Sequence, residues 1–93
     1  MKCTVEIRKA AVDDLLRVPL HITRKLEYWV NAVEIYGIEA VRKIPGYHDE
    51  RLKGKRWMQR SIRLNRAYRA IYTENKSCEI CVILIIEVHK RDY

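Results

Sequence analysis

Apolar and polar side chains alternate strictly from Cys3 to Arg8, with Cys3, Val5 and Ile7 on one side and Thr4, Glu6 and Arg8 on the other. A period of two predicts a half-buried strand. The period then lengthens. Val12, Leu15 and Leu16 fall at helical spacing within Lys9 to Arg17, and Val18-Pro19 ends that helix. Pro19 suits the first turn of a second helix. Its apolar stripe, Ile22, Leu26, Trp29, Val30 and Val33, recurs at the spacing of one helix face, and Gly37 closes it. Ile38 to Lys43 adds one short helical turn, Pro45-Gly46 marks a reversal, and Gly46 to Lys55 reads as a polar, basic loop.

Beyond the loop the period of two returns. Arg60 to Leu64 alternates, with Ile62 and Leu64 opposite Ser61 and Arg63, and Asn65-Arg66-Ala67 suits a tight reversal. Tyr68 to Thr73 follows as a strand, with Tyr68, Ala70 and Tyr72 opposite Arg69 and Ile71. Glu74 to Ser77 reads as a polar turn, and Ile80 to Val88 as a central strand covered on both faces. The order β-α-α-β-β-β predicts an α+β domain spanning residues 1–93. Two helices pack on one face of a mostly antiparallel four-stranded sheet. A chain of 93 residues has room for one core and no separate cofactor module, so no cofactor is expected.

Charge changes this picture in one place. Between Arg42 and Arg69 ten basic residues stand against two acidic ones, a local charge of +8 within a total of +7. All the positive excess therefore lies in one contiguous third of the chain, where it favours a polyanion. The N-terminus lacks the apolar core of a secretory leader, and the longest apolar run, Ile80 to Ile86, is too short to span a bilayer. A cytoplasmic protein with no membrane partner is expected. Cys78 and Cys81 form a Cys-x-x-Cys pair, but His21, His48 and His89 are scattered, so structural thiols are expected rather than a metal site.

If Ile62, Leu64, Tyr68, Ala70 and Tyr72 face the helices, Arg63 and Arg69 point from adjacent strands onto the other face. Two guanidiniums there repel each other unless a phosphate lies between them, and the planar fork of arginine suits phosphate oxygens. The last strand delivers His89, Arg91 and Tyr93 to the same end of the sheet, and the loop adds His48, Arg51 and Lys53 at the rim. Lys55, Arg60 and Arg66 complete the expected substrate-binding set. RNA cleavage by its own 2′-hydroxyl requires a proton acceptor, a cationic cradle for the phosphorane and a proton donor for the 5′-oxygen, and no metal.

The stretches Tyr47-His48-Asp49-Glu50-Arg51-Leu52-Lys53-Gly54, Arg60 to Tyr72 and Val88-His89-Lys90-Arg91-Asp92-Tyr93 together resemble the RelE/ParE toxin superfamily of type II toxin–antitoxin systems, nearest to its HigB-like branch. The resemblance extends over nearly the whole chain and implies the RelE-like fold. It also implies a ribosome-dependent endoribonuclease that cuts mRNA in the A site, leaving a 2′,3′-cyclic phosphate and a 5′-hydroxyl, and a cognate antitoxin partner. By that resemblance Arg69 falls at the family's phosphate-binding arginine and Arg63 where RelE has a lysine of the site. Lys53 falls in the substrate-positioning loop, and Tyr93 near the C-terminal tyrosine. Arg91 stands where close relatives carry histidine. It cannot act as a general base, its pKa lying above about 12, and is expected to stabilise charge. His89 and His48 are then the available imidazoles. The alternatives are a ParE-type protein that inhibits DNA gyrase without cutting RNA, or a catalytically weakened RNA-binding homologue.

Overall fold

The computed structural model describes residues 2–77 and 80–90. Strand β1 (Cys3–Ile7) leads into α1 (Lys9–Leu15), α2 (Leu20–Tyr36) and a short α3 (Ile38–Arg42). A tight 3-10 turn at Pro45–Tyr47 precedes strand β2 (Glu50–Arg51), a second at Gly54–Arg56 separates it from β3 (Gln59–Arg63), and β4 (Tyr68–Ser77) and β5 (Ile80–Lys90) follow. The sheet runs β1-β5-β4-β3-β2, antiparallel throughout except that β1 lies parallel to β5. The α+β class and the mostly antiparallel sheet match the expectation, with one strand more: β2 adds a two-residue edge inside the segment read as loop.

The α2 stripe is the core. Ile22, Leu26, Trp29 and Val33 are buried against Ile62, Leu64, Ala70, Tyr72, Ile83, Ile85 and Val88 of the sheet. The Trp29 and Tyr72 rings meet at 5.1 Å between centroids in a tilted arrangement. Gly37 takes φ 87°, which side chains rarely tolerate, and so ends α2 and opens α3 within one residue. Its N–H closes the helix on the Val33 carbonyl at 2.8 Å.

Two features of the sheet depart from the sequence reading. Glu74 to Ser77 is not a turn but the end of β4, paired residue by residue with Ile83 to Ile80. Strand β5 is also irregular: Ile71 opposes Glu87 while Tyr72 opposes Ile85, so Ile86 is an extra residue, a β-bulge. Before it Cys81, Ile83 and Ile85 face the helices, and after it Val88 does. Were the strand to alternate regularly through Ile86, Glu87 and His89 would turn into the core. With the bulge they lie on the helix-free face beside Arg69. Where β1 has ended, α1 takes over the exposed edge of β5, and the Asp14 carboxylate accepts the Val88 N–H at 3.0 Å.

Candidate active site

The helix-free face carries three side chains in one row. Arg63 on β3 pairs directly with Arg69 on β4, which pairs with His89 on β5. Like charges opposite one another on a sheet are unfavourable, so this pairing is not there for stability. Among the described residues, neither the Arg63 Nε nor the Arg69 Nε has a hydrogen-bond partner, although both atoms are buried. Two buried donors aimed at nothing in the protein suit an anion.

Each end of the row carries an imidazole beside a carboxylate. His89 Nε2 lies 3.0 Å from Glu87 Oε2, and its Nδ1 lies 3.0 Å from the Lys90 carbonyl. At the β2 edge His48 Nε2 stands 3.5 Å from Glu50 Oε2. His48, Glu50, Ser61, Ile62, Arg63 and Arg69 together line a cleft of about 20 Å³. That space takes a single oxygen or a water and no nucleobase, so a nucleotide would lie across the surface with a phosphate at the cleft. From β2 to β5 the order is His48, Arg63, Arg69, His89: two cations between two imidazoles.

The loop that presents His48 is fixed from the opposite side of the sheet. His48 sits in the left-handed region at φ 45°, a conformation uncommon for a residue with a side chain. The chain then turns Asp49 inward. Its carboxylate accepts from Arg60 Nε at 2.6 Å and from the Tyr72 hydroxyl at 2.5 Å, with Arg42 Nε at 4.0 Å. Burial and the Asp49 carboxylate push the Tyr72 hydroxyl well above the ordinary phenol range, so it stays a donor. Burial works against the charge of Arg42. Hydrogen bonds to the Tyr72 oxygen and to Glu74 outweigh it and hold the guanidinium protonated. On the same, helix-covered side, the Lys25 ammonium lies 5.4 Å from the Tyr47 ring centroid.

A second clamp holds the basic loop. Arg56 donates to Gln59 Oε1 at 2.6 Å and to Glu87 Oε1 at 2.7 Å, reaching from β3 to β5. Ile71, on the strand between them, is fully buried despite lying on the helix-free face. Glu87 thus links Arg56 to His89 through its two oxygens.

Of the residues expected from sequence, the structure brings together Arg63, Arg69, His89 and His48. Lys53 and Lys55 are exposed on the loop between β2 and β3, and Arg66 is exposed in the β3–β4 reversal. Arg51 donates to the Trp57 carbonyl at 2.8 Å and so braces that loop. Arg60 lies apart from this group. It shares the helix-facing side with Ile62, where Asp49 holds it, rather than the substrate face. Arg91, Tyr93 and Cys78 lie outside the described residues. Sequence reasoning missed Glu50, Glu87, Arg56 and Asp49. Glu87 was accessible by parity, because two residues before His89 on a strand is the same face. No metal-sized group of three ligating side chains forms among the described residues, and no helix there is long and apolar enough to cross a membrane.

No protein-family model and no curated protein matches this sequence. Solved structures do match its fold over nearly its whole length. The YoeB/ParE toxin from Agrobacterium tumefaciens is 17% identical, with TM-score 0.69, over 99% of this chain and 100% of that one. The RelBE2 toxin–antitoxin complex from Mycobacterium tuberculosis gives 18% identity and TM-score 0.71, over 98% and 100%. YafQ from E. coli gives 13% and 0.72, over 97% and 94%. The chain therefore has the RelE-like toxin fold.

Proposed function

We propose that this protein is the toxin of a type II toxin–antitoxin system in the RelE/ParE superfamily, a cytoplasmic endoribonuclease that cuts mRNA in the ribosomal A site. The observation that carries the reading is the in-register Arg63–Arg69 pair, with buried and unpartnered Nε donors, between two imidazole–carboxylate pairs. A lone phosphate-binding face would not need both imidazoles. The superfamily and its HigB-like branch rest on the sequence motifs, and the shared fold of toxins supports the former.

In this reading the scissile phosphate sits over Arg63 and Arg69, whose donors strengthen as charge builds on the phosphorane. His48, beside Glu50, takes the 2′-proton. His89, whose two ring nitrogens both face acceptors and so serve as donors, protonates the departing 5′-oxygen at the far end of the row, so acid and base stand on opposite sides of phosphorus. The 2′-hydroxyl supplies the nucleophile, and the products are a 2′,3′-cyclic phosphate and a 5′-hydroxyl. Lys53 and Lys55 follow the backbone on the rim, while Arg91 and Tyr93 enter on the resemblance alone. An antitoxin that masks this basic face is the expected protein partner; the M. tuberculosis structure with this fold is itself a toxin–antitoxin complex.

Primer extension on translated mRNA after induction tests the reading. New 5′-hydroxyl ends are expected with the natural chain, and none with Arg69→Ala or Tyr93→Ala. Growth arrest with intact mRNA and altered DNA supercoiling would refute it and move the protein to the gyrase-inhibiting class.

A further inference from the structure

Cys81, one member of the Cys-x-x-Cys pair of the sequence, meets Cys3 in the fold. Cys3 on β1 and Cys81 on β5 are register partners across the parallel junction, both buried, with their sulfurs 2.6 Å apart. Paired strands lie about 4.8 Å apart, inside the Cα separation a disulfide accepts, so a bond there needs no backbone movement. The pair is also reachable. Cys3 forms part of the wall of a surface cavity of about 330 Å³, shared with Tyr36, Gly37, Ile38, Glu39 and Lys76. Cys81 sits behind it, and burial together with the Cys3 contact pushes its thiol up to about 12.

We propose that Cys3 and Cys81 are an oxidation site: hydrogen peroxide entering the cavity beside Cys3 converts the pair into a disulfide joining β1 to β5. The Cys3 sulfur attacks the peroxide O–O bond, releasing one water and leaving a sulfenic acid. The Cys81 sulfur then attacks the Cys3 sulfur; the S–S bond forms, the S–O bond breaks, and hydroxide leaves with the Cys81 proton as a second water. Two electrons pass from the thiol pair to the peroxide. Because Cys81 is a thiol at neutral pH and it is Cys3 that lines the cavity, Cys3 reacts first and Cys81 resolves. The link closes a loop between residues 78 positions apart, which restricts the unfolded chain strongly. This inference is independent of what the arginine face does.

Purified full-length protein, reduced, freed of reductant and exposed to hydrogen peroxide, provides the test. Non-reducing mass spectrometry should show loss of two hydrogens, with the Cys3 and Cys81 peptides joined. The thermal midpoint should rise by about 10 °C or more and fall back on reduction. Cys78→Ala should still form the link, and Cys3→Ala should lose it. Should Cys3→Ala not fold, the peptide map of the natural chain decides alone. Thiols left intact, sulfinic or sulfonic products without a link, or a bond through Cys78 would each overturn the proposal.

Discussion

Replacing Asp49 by alanine should destabilise the protein by about 3–4 kcal/mol. The Asp49 side chain is 1% exposed and bonded to Arg60, itself 17% exposed, and to the Tyr72 hydroxyl. Removing one partner of a buried pair costs about 3–5 kcal/mol, because the other charge stays buried without compensation. Arg60 keeps some water, which trims that figure, while Tyr72 loses its acceptor, which adds about 1 kcal/mol. Arg42 retains Glu74 at 2.9 Å and contributes little to the loss. Asp49→Asn keeps an acceptor for the phenol and should cost about half as much, and Tyr72→Phe about 1 kcal/mol. A domain of this size has about 5–14 kcal/mol of stability, so all three variants should remain folded. Urea titration at neutral pH, followed by fluorescence of the buried Trp29 beside Tyr72, reads the effect as a midpoint shift of about 2 M for Asp49→Ala. The network also fixes the neighbouring His48 and Glu50, so RNA cleavage should fall in the same order. A loss under 1 kcal/mol for Asp49→Ala would refute the reasoning, since it would mean that Arg60 and Tyr72 find water or other partners at little cost.

Arg63→Ala and Arg69→Ala should each lower cleavage by about a hundredfold or more while leaving stability unchanged or raised by up to about 1 kcal/mol. Destabilisation by either, measured in urea, would mean that the arginines are structural. Deleting Ile86 removes the bulge but keeps Ile85 and Val88 toward the helices and Glu87 and His89 on the helix-free face, so the variant should stay folded and retain cleavage. Loss of cleavage with an unchanged urea midpoint would show that the bulge itself, and not only the facing it sets, positions His89. Burial opposes ionisation of Glu74, but hydrogen bonds from Arg42 and Lys76 win and hold its carboxyl below the usual 4.5. Its folded pKa is depressed, so its contribution is complete above that value and is lost as pH falls through the folded one. Glu74→Gln should therefore flatten the acid limb of the stability profile below pH 4.5, and an unchanged limb would contradict the assignment.

Much of this architecture was legible in the sequence because its elements obey one period at a time. The Cys3 to Ile7 alternation and the Ile22 to Val33 stripe became β1 and the buried face of α2. Opposite facing of Ile62 and Arg63 was likewise readable, and it put Arg63 and Arg69 on one surface. The same parity placed Arg60 with Ile62, toward the helices, on the face opposite Arg63 and Arg69. Glu74 to Ser77 looked like a turn because it is polar, yet pairing with β5 extends the strand beyond the core, and Glu74 finds Arg42 there. The bulge had no signature, since Ile85 and Ile86 are equally apolar and only the ladder shows which is inserted. The Asp49 network was hidden for a different reason. Its members come from α3, the following turn, β3 and β4, and no local spacing announces a meeting of four separate segments.

The parallel pairing of β1 with β5 has a consequence for how the protein comes into being. The first strand waits for the last one, 78 residues later in the chain. At about 5–20 residues per second of synthesis, that is an interval of roughly 4–16 s during which the helices have no completed sheet to cover. Non-local closure of this kind slows folding and leaves apolar surface open to wrong partners. It also means that His89 reaches Arg69 only at the final step of assembly. The helix-free face, whatever it acts on, is put together after everything else, and a nascent chain stopped short of β5 carries the arginines without the imidazole beside them.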